Sequence, residues 1–398
     1  MRSIPPRWRP AAALVAAGAL LAAMVVSTAE PEDAPRAVHA AGEPRAEVWQ
    51  VAEAAYPENA DNPLAARVWG VYQGPQDQVS VAYQSAGTKQ RADLDVIALR
   101  PRTKWYGAFV PDAKIRASVQ RYIASSQNGD PEKLVQLAVF RMRPWEHAAC
   151  QRRSTTAERR SYRRWIRELA AGIGATPTLA IMQPDAPFLW CVPDRAVKAR
   201  LLTYATRTLA ALPRTAVYLD AGAADWCENG KGNDPERCAQ ILKLTGVKHA
   251  RGFALDSTHY MGPAENVRHG AKIAAILARD GYGTKHFIVD TAKSGRPTRW
   301  NDMVPSTKGG LRDDARVCTA TVTDRCVTLG IPPTVRVGDP AWGLPDDVVA
   351  LARRHVDGFV WFGRPWLYRQ ADPFVMKRAR AMARSTPWPR PLTLGSGS

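Results

Sequence analysis

Ala216-Val217-Tyr218-Leu219-Asp220 is a short apolar run that ends in an aspartate, and the chain writes the same pattern three more times. The others are Leu179-Ala180-Ile181-Met182-Gln183-Pro184-Asp185, Gly252-Phe253-Ala254-Leu255-Asp256 and His286-Phe287-Ile288-Val289-Asp290. They are almost evenly spaced, at an interval that fits one strand, one helix and two loops. A strand covered by helices on both faces reads as a continuous apolar run, so these are parallel strands. An acid directly after such a run sits where the carboxyl ends of parallel strands open into a crevice, the usual place for chemistry in α/β folds. Carboxylates gathered on one rim suit proton transfer or the stabilisation of positive charge.

Helical patterns fill the gaps. Residues 156–173 carry an apolar stripe of Tyr162, Trp165, Ile166, Leu169 and Ile173 at three-to-four spacing. Residues 196–212, 235–244, 264–279, 346–355 and 372–383 behave likewise, and further strands are expected at 67–72, 137–142 and 358–362. About seven or eight such βα units argue for an α/β fold, a distorted, closed or nearly closed barrel of parallel strands in a single domain.

Residues 48–391 form that domain. Before it, Arg2, Arg7 and Arg9 precede an apolar stretch from Ala11 to Val26 and then small residues. That order is read as a secretory signal over residues 1–29, an uncleaved N-terminal membrane anchor being the rival reading. Residues 30–47, rich in Pro, Ala and charge, read as a linker, and residues 392–398 as a flexible tail.

All six cysteines follow the apolar stretch, so disulfides in an oxidising compartment are the first expectation. Six cysteines admit many pairings. Cys227 with Cys238 and Cys318 with Cys326 are short local closures, which leaves Cys150 with Cys191. A zinc site is the weaker reading, because no CxxC occurs and the histidines are scattered. No cofactor is called for. The net charge of +18 raises the question of nucleic acid. The arginines are spread along the chain, however, and Arg152-Arg153, Arg159-Arg160 and Arg163-Arg164 fall on the polar face of a helix. An anionic cell envelope is a better match than nucleic acid, and a monomer is expected.

Aromatic residues accompany the acids: Trp145 adjoins Glu146, Trp190 follows Asp185, and Trp226 follows Asp220. Trp342, Trp361, Trp366 and Tyr368 gather towards the C-terminal end. A single Trp is more often a core residue than a platform. Repeated placement beside strand-end acids shifts the balance towards sugar stacking, and carboxylates with such aromatics are the parts of a glycosidase.

At these residues the chain resembles glycoside hydrolase family 6, the secreted cellobiohydrolases and endoglucanases. Ile181-Met182-Gln183-Pro184-Asp185 is similar to that family's "V-E-P-D" segment, and Tyr218-Leu219-Asp220-Ala221-Gly222-Ala223-Ala224-Asp225-Trp226 to its "Y-x-D-A-G-H-x-x-W". Gly252-Phe253-Ala254 followed by Ser257-Thr258-His259-Tyr260, Val289-Asp290-Thr291-Ala292-Lys293-Ser294-Gly295 and Asp357-Gly358-Phe359-Val360-Trp361 resemble "G-x-x-T-N-x-S-N-Y", "I-D-T-S-R-N-G" and "D-A-F-L-W". The order holds over roughly residues 62–388.

The resemblance implies hydrolysis of β-1,4-glucan, or a related polysaccharide, with inversion. That chemistry needs an acid and a base-activated water on opposite ring faces, with carboxyls roughly 6.5–9.5 Å apart. By the same resemblance Asp185 would be the general acid, Glu146 would assist it, and Asp372 would stand where the family's proposed base does. Asp220, Trp226, Phe140, His259, Trp361, Arg364 and Trp366 would contact substrate. Asp256 would fall at a contact position, and Asp290 would hold the rim together. Cys150–Cys191 would resemble the family disulfide beside the acid. The departures are Phe140 for a Tyr, Glu146 for an Asp, Ala223 for a His, His259 for an Asn, and a final segment with no clear counterpart of the family's Lys and Glu. They point to an altered substrate, with a catalytically weakened carbohydrate-binding protein on the same scaffold and a metal-assisted hydrolase as the alternatives.

Overall fold

The structure, a computed structural model, describes residues 52–229 and 232–388. The signal, linker and tail assigned to residues 1–29, 30–47 and 392–398 lie outside the described residues. Nine strands are present among these: β1 (Lys104–Gly107), β2 (Val135–Phe140), β3 (Thr178–Met182), β4 (Thr215–Asp220), β5 (Glu228–Asn229), β6 (Gly232–Asn233), β7 (Gly252–Leu255), β8 (His286–Asp290) and β9 (Val356–Val360). β5 and β6 form a small antiparallel hairpin. The other seven make one parallel sheet in the order β1-β2-β3-β4-β7-β8-β9.

The helices are α1 (Gln78–Ser85), α2 (Thr88–Ala98), α3 (Ile115–Gln127), α4 (Glu146–Gln151), α5 (Thr156–Ile173), α6 (Arg195–Ala210), α7 (Pro235–Thr245), α8 (Pro263–Arg279), α9 (Asp346–His355) and α10 (Met376–Ser385). α5 begins where its sequence says it should. Thr155 caps the Glu158 amide while the Glu158 side chain returns to the Thr155 amide, a reciprocal cap on its first turn.

The two-residue period of a strand decides which side chains meet. Trp105, Ala138, Leu179, Ile181, Tyr218, Ala254, Ile288 and Val360 share one buried cluster inside the curled sheet. Their alternates, among them Leu137, Val139, Met182, Leu219, Leu255, Phe287 and Phe359, pack outward with helix residues such as Trp165, Leu202 and Ile273. Asp220 and Asp290 share the inward parity, and Asp256 follows β7 in the same phase. Sheet parity therefore brings the acids to one interior rim. The first and last strands approach each other there, where Thr103 N–H donates to Trp361 O at 2.9 Å and Trp105 Nε1 to Phe362 O at 2.6 Å.

Two expectations change. The strand expected at 67–72 is a single parallel bridge, Trp69 to Leu134, because Gly74 and Pro75 turn the chain away. Its place in the sheet goes to β1, which is too short and too mixed in polarity to stand out in the sequence. The last helix begins at Met376 rather than Asp372. Pro373 has no amide to donate and disfavours helical geometry in the residue before it.

Candidate active site

β3 delivers Asp185 through the turn Gln183-Pro184, and both Gln183 and Asp185 take positive φ (52° and 67°). Glu146 (53°) and Asp256 (71°) do the same at neighbouring strand ends. For a residue with a Cβ this region costs on the order of 1 kcal/mol, and such strain concentrates at functional sites. The turn is held from several sides. Trp145 Nε1 donates to Pro184 O at 2.9 Å, Gln183 Oε1 accepts from Met142 N–H at 3.1 Å, and Lys198 Nζ donates to Pro144 O at 3.0 Å. The Cys150–Cys191 disulfide then ties α4, which starts at Glu146, to the turn after Asp185. The other two expected pairs, Cys227–Cys238 and Cys318–Cys326, are also present.

Asp185 is buried, and Thr258 Oγ1 donates to its Oδ1 at 3.0 Å. Burial drives its pKa well above the carboxylate range, the negative fields of Asp220 and Glu146 push the same way, and the Thr258 hydrogen bond opposes them in part. Asp220 lies beneath, its Oδ2 accepting from Ala186 N–H at 2.9 Å and Gly222 N–H at 3.2 Å. Burial raises it to about 7 against the pull of those two amides. Asp185 and Asp220 are neighbouring acids, so their two protons leave in successive steps that belong to the pair. Glu146 is exposed as a residue, yet the protein around its carboxyl desolvates it, and Asp313 adds repulsion, so its pKa is raised. The crowding of acids at the rim supports that direction.

Asp256 is fully buried and its Oδ2 has no hydrogen-bond partner among the described residues. Burial raises it strongly, although Lys293 is near enough to oppose. Lys293 Nζ donates to Asp256 O at 2.5 Å and also to Asp290 Oδ2. Asp290 Oδ1 accepts from Phe362 N–H at 2.8 Å and Gly363 N–H at 2.9 Å. A Cβ on Gly363 would stand 2.5 Å from Asp290 Oδ2, so this approach requires glycine. The Asp290 carboxylate thus joins the ends of β8 and β9.

Aromatic groups flank the acids. On one side the His259 ring is stacked between Trp226 (4.4 Å) and Trp300 (4.7 Å). Its Nδ1 lies 2.7 Å from Asp225 Oδ1, and Asp225 Oδ2 accepts from Trp300 N–H at 2.7 Å. On the other side the Arg364 guanidinium lies 4.1 Å over Trp105, which packs against Phe140 at 5.4 Å. Burial lowers Arg364 to about 10, while Asp372 and Asp185 both favour its charge.

Of the residues read from the sequence, Asp185, Glu146 and Asp220 share one acidic centre. Trp226 and His259 line one wall, and Phe140 and Arg364 the other. Three sit elsewhere. Trp361 is fully buried, its Nε1 donating to Ile331 O at 2.9 Å, and Trp366 is packed beside it among Leu329 and Met382. Neither presents a free face to a sugar. Trp361 has the outward parity of Phe359, so it points into the layer between sheet and helix. Asp372 is exposed, accepts from Gln78 Nε2, and acts on Arg364 and Lys104 rather than on the Asp185 centre. The extra length of the final segment carries it off the rim. Thr258, Trp105, Trp300, Lys293 and Asp313 escaped the sequence reading as site residues. Thr258 and Lys293 stood inside quoted motifs, whereas Asp313 belongs to a stretch with no periodic signal.

Residues 67–343 match the family described as glycosyl hydrolases family 6, and the chain belongs to that family. It is 29% identical to Endoglucanase 1 of Streptomyces halstedii over 60% of this chain and 73% of that protein. It is also 29% identical to Endoglucanase A of Cellulomonas fimi, where the match covers 57% of this chain but spans only 47% of the relative. Among solved structures it is similar to the endoglucanase Cel6 of Mycobacterium tuberculosis in complex with a methyl-cellobiosyl-thio-cellobioside. That likeness has a TM-score of 0.62 and 26% identity, and covers 81% of this chain and 98% of the other. The catalytic core of the cellobiohydrolase Cel6A of Chaetomium thermophilum shares the fold, at a TM-score of 0.56 and 19% identity over 81% of this chain and 97% of that one.

Proposed function

We propose that this chain is an inverting glycosidase that hydrolyses β-1,4-linked glucan or a closely related polysaccharide, with Asp185 as the general acid. One observation carries the reading: Asp185 is a buried strand-end carboxyl, oriented by Thr258, whose surroundings hold a proton on it at pH values where an ordinary aspartate is ionised. A protonated carboxyl is what a leaving glycosidic oxygen needs. As it leaves, that oxygen takes the Asp185 proton while water attacks the opposite face of the ring. Glu146 and Asp220 keep the acid protonated before the step. Glu146, when ionised, also places negative charge near the oxocarbenium-like centre that develops during it. Trp226, backed by the buried His259, on one wall, and Phe140 with Arg364, backed by the buried Trp105, on the other, offer the apolar faces and donors that sugar rings require.

Kinship with endoglucanases supports the substrate class. Ala223 and Phe140, which lack polar groups that the family pattern has, support a narrowed or shifted preference within it. Three disulfides support action outside the cytoplasm. The test is Asp185→Asn in the full chain. Release of reducing ends from soluble β-glucan should fall about 1000-fold with the thermal midpoint unchanged or raised, within the range that acid catalysis supplies. Undiminished release would refute the assignment.

A further inference from the structure

The stretch from Thr298 to Asp314 runs along the wall that holds Thr258. Thr298 N–H donates to Tyr260 O at 2.9 Å, Trp300 N–H to Asp225 Oδ2 at 2.7 Å, and Tyr260 Oη to Arg312 O at 2.7 Å. From the other direction Gln370 Nε2 donates to Thr258 O at 3.1 Å, and the turn Tyr368–Gln370 packs against Arg312–Asp314. The segment around Thr258, which orients Asp185, is thus tied to the turn that carries Asp313. The two adjacent acids of this turn differ. Asp314 accepts from Arg378 at 3.2 Å and from Ser306 Oγ, so its charge is neutralised in place. Asp313 is half-buried and has no ion-pair partner among the described residues. Its charge acts on both Glu146 and Asp185, and its own pKa is raised by burial.

A carboxylate paired with arginine is a poor base, because the cation stabilises the ionised form. One that is unpaired, partly desolvated and still open to solvent is a better base and can return its proton to water. Asp372 meets Gln78 instead, outside this centre. We propose that Asp313 is the base that takes the proton of the attacking water; this rests on the reading of Asp185 as general acid. The water oxygen bonds to the anomeric carbon and its proton passes to the Asp313 carboxylate. The glycosidic C–O bond breaks, its electron pair stays on the leaving oxygen, and that oxygen takes the Asp185 proton. The products are an inverted hemiacetal and a shortened chain with a free hydroxyl, and solvent exchange restores both acids.

The experiment uses full-length Asp313→Asn and Asp185→Asn with cellohexaose and with a dinitrophenyl β-cellobioside, whose leaving group needs no proton. Asp185→Asn should be crippled on cellohexaose and largely spared on the activated substrate. Asp313→Asn should lose about 100-fold or more in kcat on both, with little change in KM. Azide attacks without giving up a proton, so it should restore turnover to Asp313→Asn and yield the α-glycosyl azide. Asp313→Glu, read beside the thermal midpoint, should lose kcat with unchanged stability, which covers the case where the Asn variant does not fold. Asp324→Asn, at an exposed acid further along the chain, serves as the unaffected control. Retention of kcat within about threefold by Asp313→Asn on both substrates, or no azide product from a folded variant, would overturn the assignment while leaving Asp185 in place. Full cellohexaose activity in Asp185→Asn would instead overturn the acid reading, and the base would fall with it.

Discussion

The barrel buries aspartates at both ends, and their partners divide them. The carboxyl of Asp357 at one end, like that of Asp290 at the other, is tied to a cation, whereas those of Asp185, Asp220 and Asp256 are tied to none among the described residues. Near the amino ends of the strands, Asp357 is fully buried and saturated. Its Oδ1 accepts from Asn59 at 2.8 Å and Arg251 at 3.0 Å, and its Oδ2 from Tyr218 at 2.6 Å and Arg251 at 2.9 Å. Arg251 also binds Asp61, and its pKa is raised despite its burial. A register shift in β9, where Val356 faces Phe287 and Gly358 faces Ile288, makes Asp357 the extra residue and re-aims its side chain at Tyr218 inside the barrel. At the carboxyl ends, Asp185, Asp220 and Asp256 are also buried, but their carboxyls accept no hydrogen bond from a cation among the described residues, and all three pKa values rise. Burial is common to both ends. The partner decides whether a buried carboxyl is a staple or an acid.

Exchanging the two kinds of damage breaks the comparison most sharply. Asp185→Asn should remove about 4 kcal/mol of transition-state stabilisation, the equivalent of the loss named above, and leave the fold intact. Asp357→Ala should do the reverse. It strands Arg251, Tyr218 and Asn59 together, so denaturant unfolding should show a loss of about 3–5 kcal/mol, while kcat per folded molecule stays within a few-fold. Equal stability in both variants would erase the distinction.

A smaller effect sharpens it through pH. Asp220 titrates at about 7 in the fold, against roughly 3.9 in an unfolded chain. Between those values the fold binds the extra proton, so stability from this group falls as pH rises through the window. Asp220→Asn keeps an oxygen to accept from the Ala186 and Gly222 amides and cannot ionise. Its urea midpoint should therefore drop less than that of the wild type between about pH 5 and about pH 8. A larger drop in the variant would mean that Asp220 is ionised throughout.

How much of this was legible follows from which signals are local. β3, β4, β7 and β8 could be read because a strand covered on both faces must be apolar throughout, and the aspartate after each run marks where cover ends. Parity then fixes the inward aim of Asp220 and Asp290, and the same count excludes Trp361, which is out of phase with Val360 and Phe362. β1 was too short to show a period, so Trp105 was missed. Asp313 was invisible for a different reason. Its stretch is irregular, closed on itself by the antiparallel bridge of Pro305 to Ala315 and fixed by hydrogen bonds to Tyr260 and Asp225, contacts that no sequence spacing encodes.

The most direct test of the central claim is the anomeric form of the first product. Wild-type protein acting on cellohexaose, followed by proton NMR before mutarotation, should show the α-anomer of the new reducing end appearing first. The β-anomer appearing first would mean retention, and would contradict an Asp185 acid working with a base-activated water.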